Sequence, residues 1–240
     1  MRQENLNVTL LLLLRPRPGW YTGTGKQISA QRVGRVRVED LIERAVAVSC
    51  ANSPDLHKLW VRAQHNLAQL AGPPTAISAM FAASTDLLLR QLDKERLERM
   101  GITNRSKMGA DNLSAAMSED WMSRIYEILR RARVRARGSG LGLSDQLLSV
   151  FRDAELVRMA TDKGEVAKMD RKSAPILMVG PEDDAVTKKY CNDGSYIIPR
   201  TVCGATGSMM WICIDITEKT QKEVCRADVS DRLLAALADI

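Results

Sequence analysis

The amino-acid sequence predicts an α+β protein with three consecutive parts: an N-terminal β-hairpin, a helix-rich body of about five helices, and a small C-terminal unit of mixed strands and helices. Three observations support this. Valines alternate with arginines just before residue 38, apolar residues then recur at helical spacing, and short strand-like runs return after residue 173. Because strands and helices occur in separate blocks, α+β is favoured over an alternating parallel-sheet fold.

The first 38 residues have the pattern of two strands joined by a loop. Asn7–Arg15 is rich in leucine, Gly19–Gly25 is rich in glycine, and Gln27–Val38 ends in the valine and arginine alternation. The leucine run Leu10–Leu14 is short for the apolar core of a signal peptide, and Arg-Pro-Arg-Pro follows it where a small-residue cleavage site would be. We therefore interpret this run as a buried strand of the hairpin.

The body begins with two predicted helices, of which only the second has clear start and stop residues. Asp40–Ala51 is helical by its apolar spacing. The next helix starts at Ser-Pro-Asp, residues 53–55, which supply an N-cap, a proline at the first helical position and an acid in the first turn. Gly72 followed by two prolines predicts its end.

The third helix is predicted over Thr75–Met100, with an apolar start and a charged end. Asp86 with Arg90, and Glu95 with Arg99, have i,i+4 spacing, which is worth a few tenths of a kcal/mol for each pair, roughly. Its apolar positions are Ile77, Met80, Phe81, Leu88 and Leu92.

Two further helices complete the body. Asp111 is suited to cap a helix that carries Trp121 and Ile125 on its apolar face and that continues into an arginine-rich end, where glycines stop it. Ser144 is suited to cap the next helix, which places Val150 and Phe151 inward.

In the last 68 residues the pattern changes from long helices to short strands and helices. Ala174–Val179 is a short apolar strand, Pro181–Tyr190 has the acidic start of a short helix, and Tyr196–Val202 and Met209–Ile216 are strands joined by a hairpin-like loop. A final helix is predicted from Ser230. We place a domain boundary near residue 172, which divides a body (1–172) from a C-terminal unit (173–240) that folds separately or packs into the same domain.

Net charge divides at the same position. Residues 1–172 contain 28 Lys and Arg against 19 Asp and Glu, a net charge of +9. Residues 173–240 contain 7 against 10, a net charge of −3, so the overall +6 conceals a basic body and an acidic tail.

The strongest local signal is an arginine cluster, defined as the five arginines within residues 130–137: Arg130, Arg131, Arg133, Arg135 and Arg137. A guanidinium offers a planar fork of donors that matches phosphate oxygens. A solvated helix end that complements the helix dipole would account for one or two arginines but not for five. We therefore predict that this segment, as a helix or as an extended chain, binds nucleic acid or another polyanion.

A second basic group is predicted on the hairpin. It consists of Lys26, Arg32, Arg35 and Arg37. If the hairpin lies beside the arginine cluster, the two groups form one positive surface that contacts the phosphate backbone without reading bases. Trp20 and Tyr21 are the only aromatic residues close to this second group in the sequence, so base stacking is less favoured than backbone binding.

No catalytic or metal motif withstands inspection. Gly25-Lys26 resembles a P-loop but lacks the first glycine and the hydroxyl residue. His57 and His65 are eight residues apart, which does not place two metal ligands together on a helix. A divalent-ion or nuclease site would need the acids to converge, and a helix N-terminus rich in acids is the simpler interpretation; the candidates are Asp170, Lys172, Glu182, Asp183, Asp184 and Asp215.

The five cysteines, Cys50, Cys191, Cys203, Cys213 and Cys225, are odd in number and contain no C-x-x-C pair. This disfavours a zinc site and a redox dithiol, and it favours reduced, buried thiols in an intracellular protein. No stretch is long and apolar enough for a membrane helix. We expect a protein of the cytoplasm or nucleus, or of a virion, that is not secreted.

These observations predict a non-enzymatic, self-associating structural protein with a nucleic-acid-facing surface, such as a viral capsid, nucleocapsid or matrix-type subunit, with no cofactor. The partner is nucleic acid, RNA or DNA, bound without sequence preference. A DNA-binding regulator or plasmid-maintenance protein is the first alternative, and a metal-dependent nucleic-acid enzyme is the second.

Overall fold

The computed structural model describes residues 37–100, 108–140, 142–169, 176–178, 188–190, 193–238 and 240. Within these ranges it has six α-helices and five short strands, which confirms the helix-rich α+β prediction. The helices are α1 (Val38–Asn52), α2 (Pro54–Ala71), α3 (Ala76–Met100), α4 (Met108–Gly138), α5 (Asp145–Lys163) and α6 (Arg226–Ala238).

The strands form two antiparallel sheets. β1 (Ile176–Met178) pairs with β2 (Lys188–Tyr190), and β3 (Arg200–Val202), β4 (Met209–Asp215) and β5 (Thr220–Cys225) form a sheet with β4 in the centre. β4 alternates strictly between buried and half-buried residues, so one face packs on the helices, chiefly on α5.

Residues Val38–Ile240 form one compact unit, in which α2 to α6 and the three-stranded sheet share one hydrophobic core. Three tryptophans, Trp60, Trp121 and Trp211, are fully buried in it. Helix α1 contributes little, since Ser49 is its only fully buried residue.

A buried ion network, defined as Arg226, Asp86 and Asp93, joins α6 to α3. The Arg226 side chain is fully buried, its Nη1 donates to Asp86, and its Nη2 donates to Asp93 Oδ2 at 2.6 Å. A buried charge is tolerated only when it is paired and hydrogen-bonded. The arginine therefore ties the last helix to the third, 133 residues away in sequence.

The remaining hydrogen-bonding capacity of this network is used by its neighbours. Asp86 Oδ2 accepts from Trp60 Nε1 and from the Ser230 hydroxyl, both at 2.8 Å. Arg226 Nε donates to Ser208 Oγ at 3.2 Å, and the Arg226 guanidinium lies 5.8 Å from the centre of the Trp121 ring. Helices α2, α3, α4 and α6 and the β3–β4 loop consequently meet at one polar centre.

A second cross-link lies on the other side of α6. Asp153 on α5 is buried, accepts from Arg232 Nη2 at 2.5 Å, and forms an ion pair with Lys222 on β5. Helix α5, strand β5 and helix α6 are thus connected through one carboxylate.

The body helices lie where their sequence signals place them. Pro54 opens α2, Gly138 ends α4, and the Ser144 hydroxyl caps α5 by accepting from the backbone N–H of Leu147 at 3.3 Å. Helix α4, however, begins at Met108, so Asp111 lies in its first turn and is not its N-cap. Asp111 accepts instead from Arg96 Nε at 3.1 Å.

The C-terminal unit differs from its prediction in three places. Residues 188–190 form strand β2, where we expected a short helix to continue to Tyr190. Strand β5 was not predicted, because it is polar and only Val224 in it is buried, so it lacks the apolar alternation of a typical strand. Helix α6 also begins at Arg226, four residues before Ser230.

The predicted N-terminal hairpin lies outside the described residues. The predicted domain boundary near residue 172 would allow residues 173–240 to fold separately from the body, and it stays a prediction. Among the described residues, no helix is both long enough and apolar enough to cross a lipid bilayer, as expected from the sequence.

The buried ion network makes a testable prediction about stability. Arg226→Met leaves two buried carboxylates without their cation, and we expect it to lower the free energy of unfolding by about 3–5 kcal/mol. The matched control is Lys58→Met, which removes an exposed ion pair to Asp55 and changes stability by less than about 1 kcal/mol. Urea unfolding followed by circular dichroism measures both, and equal losses in the two variants would contradict the role assigned to Arg226.

The cysteines make a second prediction, about reactivity. Burial raises the pKa of Cys213 to about 12, whereas a hydrogen bond from the Thr206 hydroxyl lowers the pKa of the half-buried Cys203. Because the thiolate is the nucleophile, iodoacetamide should alkylate Cys203 in the folded protein near neutral pH and leave Cys213 unmodified.

Peptide mapping by mass spectrometry follows this labelling. We expect the Cys203 rate to increase as the pH rises from 6 to 8 while Cys213 stays unlabelled, and we expect denaturant to abolish the difference. If Cys213 in the folded protein were labelled as fast as Cys203, the burial of Cys213 in strand β4 would be contradicted.

Candidate nucleic-acid interface

The arginine cluster lies on the last two turns of α4 and is helical throughout. Beneath it, Leu129 and Ala132 are fully buried and fix the helix to the core. At 100° per residue, Arg131 and Arg135 share one flank of the helix, and the other three arginines of the cluster lie toward the opposite flank. The extended alternative, with four arginines on one side of a strand, is therefore not adopted.

The cluster arginines differ in their contacts. Arg130 donates to Glu127 at 2.9 Å, and Arg133 lies 5.3 Å from the centre of the Phe151 ring. Arg131, Arg135 and Arg137 have no ion pair with any described residue, and all three are exposed. We call these three exposed residues the free arginines of the cluster, because Arg133, which also has no ion pair with a described residue, is half-buried against the Phe151 ring.

The two chain segments around Arg135 contain no acids, whereas the cleft that Arg131 lines also holds three, each of them ion-paired. Residues 128–144, which include the cluster, and residues 56–85, which include the α2–α3 turn, contain no Asp or Glu. The two segments meet where the Arg135 guanidinium approaches Gly72. Because few carboxylates of the protein neutralise the surface at this junction, it attracts an external polyanion. The attraction weakens as salt is added.

Gly72 gives this turn its shape. Its φ of +96° and ψ of 158° lie in a region that only glycine adopts without strain. Its carbonyl accepts from the backbone N–H and the hydroxyl of Thr75, at 3.0 and 2.6 Å. A β-carbon at this position would lie 2.9 Å from Arg135 Nη1, so the glycine leaves room for that guanidinium.

Aromatic rings hold the opposite flank of α4 against α5. Tyr126 and Phe151 stack with their ring centres 5.0 Å apart, and Arg158 lies 4.5 Å from the Tyr126 ring centre. Because Arg133 covers Phe151, cations and rings form a continuous stack. The stack fixes the direction in which the end of α4 projects.

An open cleft of about 280 Å³ lies along α4 on the N-terminal side of the cluster. Arg124, Arg131 and Arg158 line it together with Ser78 and Ser123. Its acids are engaged: Arg124 pairs with Asp120 at 3.0 Å, and Arg158 pairs with Glu127 and Asp162 at 3.2 and 3.4 Å. Of the three arginines in the cleft, Arg131 alone has no ion-pair partner among the described residues.

Sequence reasoning missed the aromatic residue beside this cleft. Ile77, Met80 and Phe81 were expected among the apolar positions of the third helix, yet all three are exposed on the outward face of α3. The Arg124 guanidinium lies 5.7 Å from the centre of the Phe81 ring. Helical spacing placed these residues outside the buried face that carries Ala79, Ala82 and Asp86, and that spacing was the available signal.

The second basic group is described only at its last residue. Lys26, Arg32 and Arg35 lie outside the described residues, and Arg37 is exposed immediately before α1. The idea of one continuous surface formed by the hairpin and the cluster stays a prediction.

The metal and acid–base candidates do not converge in the described part of the chain. Asp215 accepts from Arg152 at 2.8 Å and from the backbone N–H groups of Thr217 and Glu218, so it stabilises the β4–β5 turn. His57 and His65 are exposed on α2. No group of three metal-ligating side chains occurs among the described residues, and Asp170, Lys172 and Glu182–Asp184 lie outside them.

The Gly72 turn makes a testable prediction. Gly72→Ala forces a β-carbon into a disfavoured backbone conformation and against Arg135, and we expect it to lower the free energy of unfolding by about 1–3 kcal/mol. Gly142→Ala is the matched control, because a β-carbon there meets no atom within 4 Å. Urea unfolding compares the two, and equal stability of both variants would show that Gly72 does not require its positive φ.

Comparison of the chain with protein-family models, with curated proteins and with solved structures finds no match. The functional assignment therefore depends on this chain's own residues, and above all on the arginine cluster at the end of α4.

Proposed function

We propose that this protein is a non-enzymatic structural protein that binds nucleic acid through the arginine cluster and associates with its own copies, as a viral capsid, nucleocapsid or matrix-type subunit does. The observation that carries the proposal is the presence of three exposed arginines without ion pairs to described residues, Arg131, Arg135 and Arg137, on a segment that contains no acids. Backbone phosphates are the anions that suit such a surface, because they repeat along the chain and their recognition needs no base contact.

The rigidity of the site supports binding to phosphate groups. The end of α4 is fixed by buried Leu129 and Ala132 and by the contact of Arg133 with Phe151, so the backbone that carries the free arginines needs no further ordering when they bind. A preorganised backbone loses less conformational entropy on binding, which favours affinity.

Exposed apolar side chains on α1 support the self-association part. Val38, Leu41, Ile42 and Val48 are all exposed on a helix that packs mainly on α3. Apolar residues gathered on one element are typical of a surface that another chain covers.

Charge reversal at the three free arginines tests the nucleic-acid part. We expect Arg131→Glu combined with Arg135→Glu and Arg137→Glu to weaken binding of a 20-nucleotide RNA or DNA by about tenfold or more at low salt. The plot of the logarithm of the association constant against the logarithm of the salt concentration has a negative slope. Its magnitude should decrease by about two for a single strand and by about three for a duplex. Fluorescence polarisation measures both quantities.

The control variant carries the same change in charge elsewhere. Lys58→Glu, Lys94→Glu and Lys219→Glu replace exposed lysines on α2, on α3 and in the β4–β5 turn, none of which lines the cleft. An equal loss of affinity in this variant would mean that net charge, and not the cluster, drives binding. Absence of binding by the unaltered protein at low salt would reject the proposal, and strong preference for one DNA sequence would indicate a regulator.

A further inference from the structure

The exposed face of α3 adjoins the basic flank of α4. Ile77, Met80 and Phe81 are 63%, 45% and 49% exposed, and Ser78, between them in sequence, lines the cleft. Among the aromatic side chains whose exposure the structure describes, only Phe81 is exposed, since the tryptophans, Phe151 and Tyr196 are buried and Tyr126 is half-buried. An exposed ring, where the other described aromatic residues are buried or half-buried, requires an explanation.

Phe81 lies next to planar cationic groups. The Arg124 guanidinium lies 5.7 Å from its ring centre, so a guanidinium and a phenyl ring form a pair of flat surfaces at the edge of the cleft. Nucleic-acid bases stack on both kinds of surface, because each presents a flat face of suitable charge distribution.

Two of the free arginines, Arg131 and Arg135, continue from this pair along one flank of α4. Arg124, Arg131 and Arg135 are spaced by seven and four residues and so lie on one side of the helix. At 1.5 Å per residue the line extends about 16 Å, which matches four to five nucleotides of a stacked single strand at 3.4 Å each, roughly. A strand with one base at Phe81 can therefore place phosphates against Arg131 and Arg135.

The acids of the cleft restrict which part of a ligand enters it. Asp120 pairs with Arg124 at the Phe81 ring, so a neutral base with donor groups is favoured over a phosphate at that end of the cleft, whereas Arg131 has no ion pair with a described residue. In a duplex the bases are stacked inside and cannot reach Phe81. In a single strand an unstacked base can stack on an aromatic ring.

We propose that the ligand is single-stranded nucleic acid, with a base stacked on the Phe81–Arg124 pair and its phosphates on Arg131 and Arg135. This inference rests on the proposed function and narrows it. An anionic membrane would also meet apolar and basic side chains together, but it would bring Asp120, Glu127 and Asp162 against a negative surface, so nucleic acid is favoured.

The experiment compares a 12-nucleotide single strand with the matching duplex by fluorescence polarisation. We expect Phe81→Ala to weaken single-strand binding by about tenfold and to leave duplex binding unchanged, because stacking on one ring is lost. Phe81→Trp should keep the affinity, and the introduced indole should be quenched on binding. Met80→Ala is the control for loss of apolar area on the same exposed face. It should change the affinity less than about twofold, since a methionine offers no ring for stacking.

Each outcome separates the two proposals. If the charge-reversal variant loses binding and Phe81→Ala does not, backbone binding stands and the stacking inference is wrong. Equal losses for Phe81→Ala and Met80→Ala would also overturn it, because apolar contact alone would then suffice. If no oligonucleotide binds and phosphatidylserine vesicles are bound in a Phe81-dependent manner, both proposals are rejected. The variants change exposed side chains, so circular dichroism should show an unaltered fold.

Discussion

The burial of Arg226 between Asp86 and Asp93 is the constraint on which the rest of the described structure depends. A guanidinium removed from water is stable only if its donors are used, and here they are taken by two carboxylates and the Ser208 hydroxyl. The two carboxylates lie on α3 and the arginine opens α6, so the C-terminal sheet and helix must pack on the helical body. Arg96 reinforces the junction by donating to Asp93 at 3.2 Å and to the carbonyl of Gly207.

The same centre determines where the arginine cluster lies. Trp121 on α4 lies under the Arg226 guanidinium, and its Nε1 donates to the Ala82 carbonyl on α3 at 3.0 Å. Helix α4 is therefore fixed to α3 near its middle, and its last turns extend past the α2–α3 turn to Gly72. The positive surface, the cleft and the exposed Phe81 are brought together by these helix contacts, and no loop is needed to form them.

Local patterns predicted the helices but not the interactions that join them. The Ser-Pro-Asp start of α2 and the Ser144 cap of α5 are short-range signals, and they lie where predicted. Asp86 forms the predicted i,i+4 pair with Arg90, whose Nε lies 3.5 Å from Asp86 Oδ1. Its main partner is 140 residues away, and no pattern in one sequence reveals that. Strand β5 was missed because an exposed edge strand needs little apolar alternation, and Phe81 was counted with the apolar positions because composition does not tell a core ring from an exposed one.

The central claim is that nucleic acid binds across the end of α4 and the start of α3. Hydrogen exchange measured with and without a saturating single-stranded oligonucleotide tests it most directly, because bound regions open less often. The account predicts added protection in residues 124–138 and 72–85, with none in the β4–β5 turn around Glu218. Protection confined to other segments, or an exchange pattern that the oligonucleotide leaves unchanged, would contradict it.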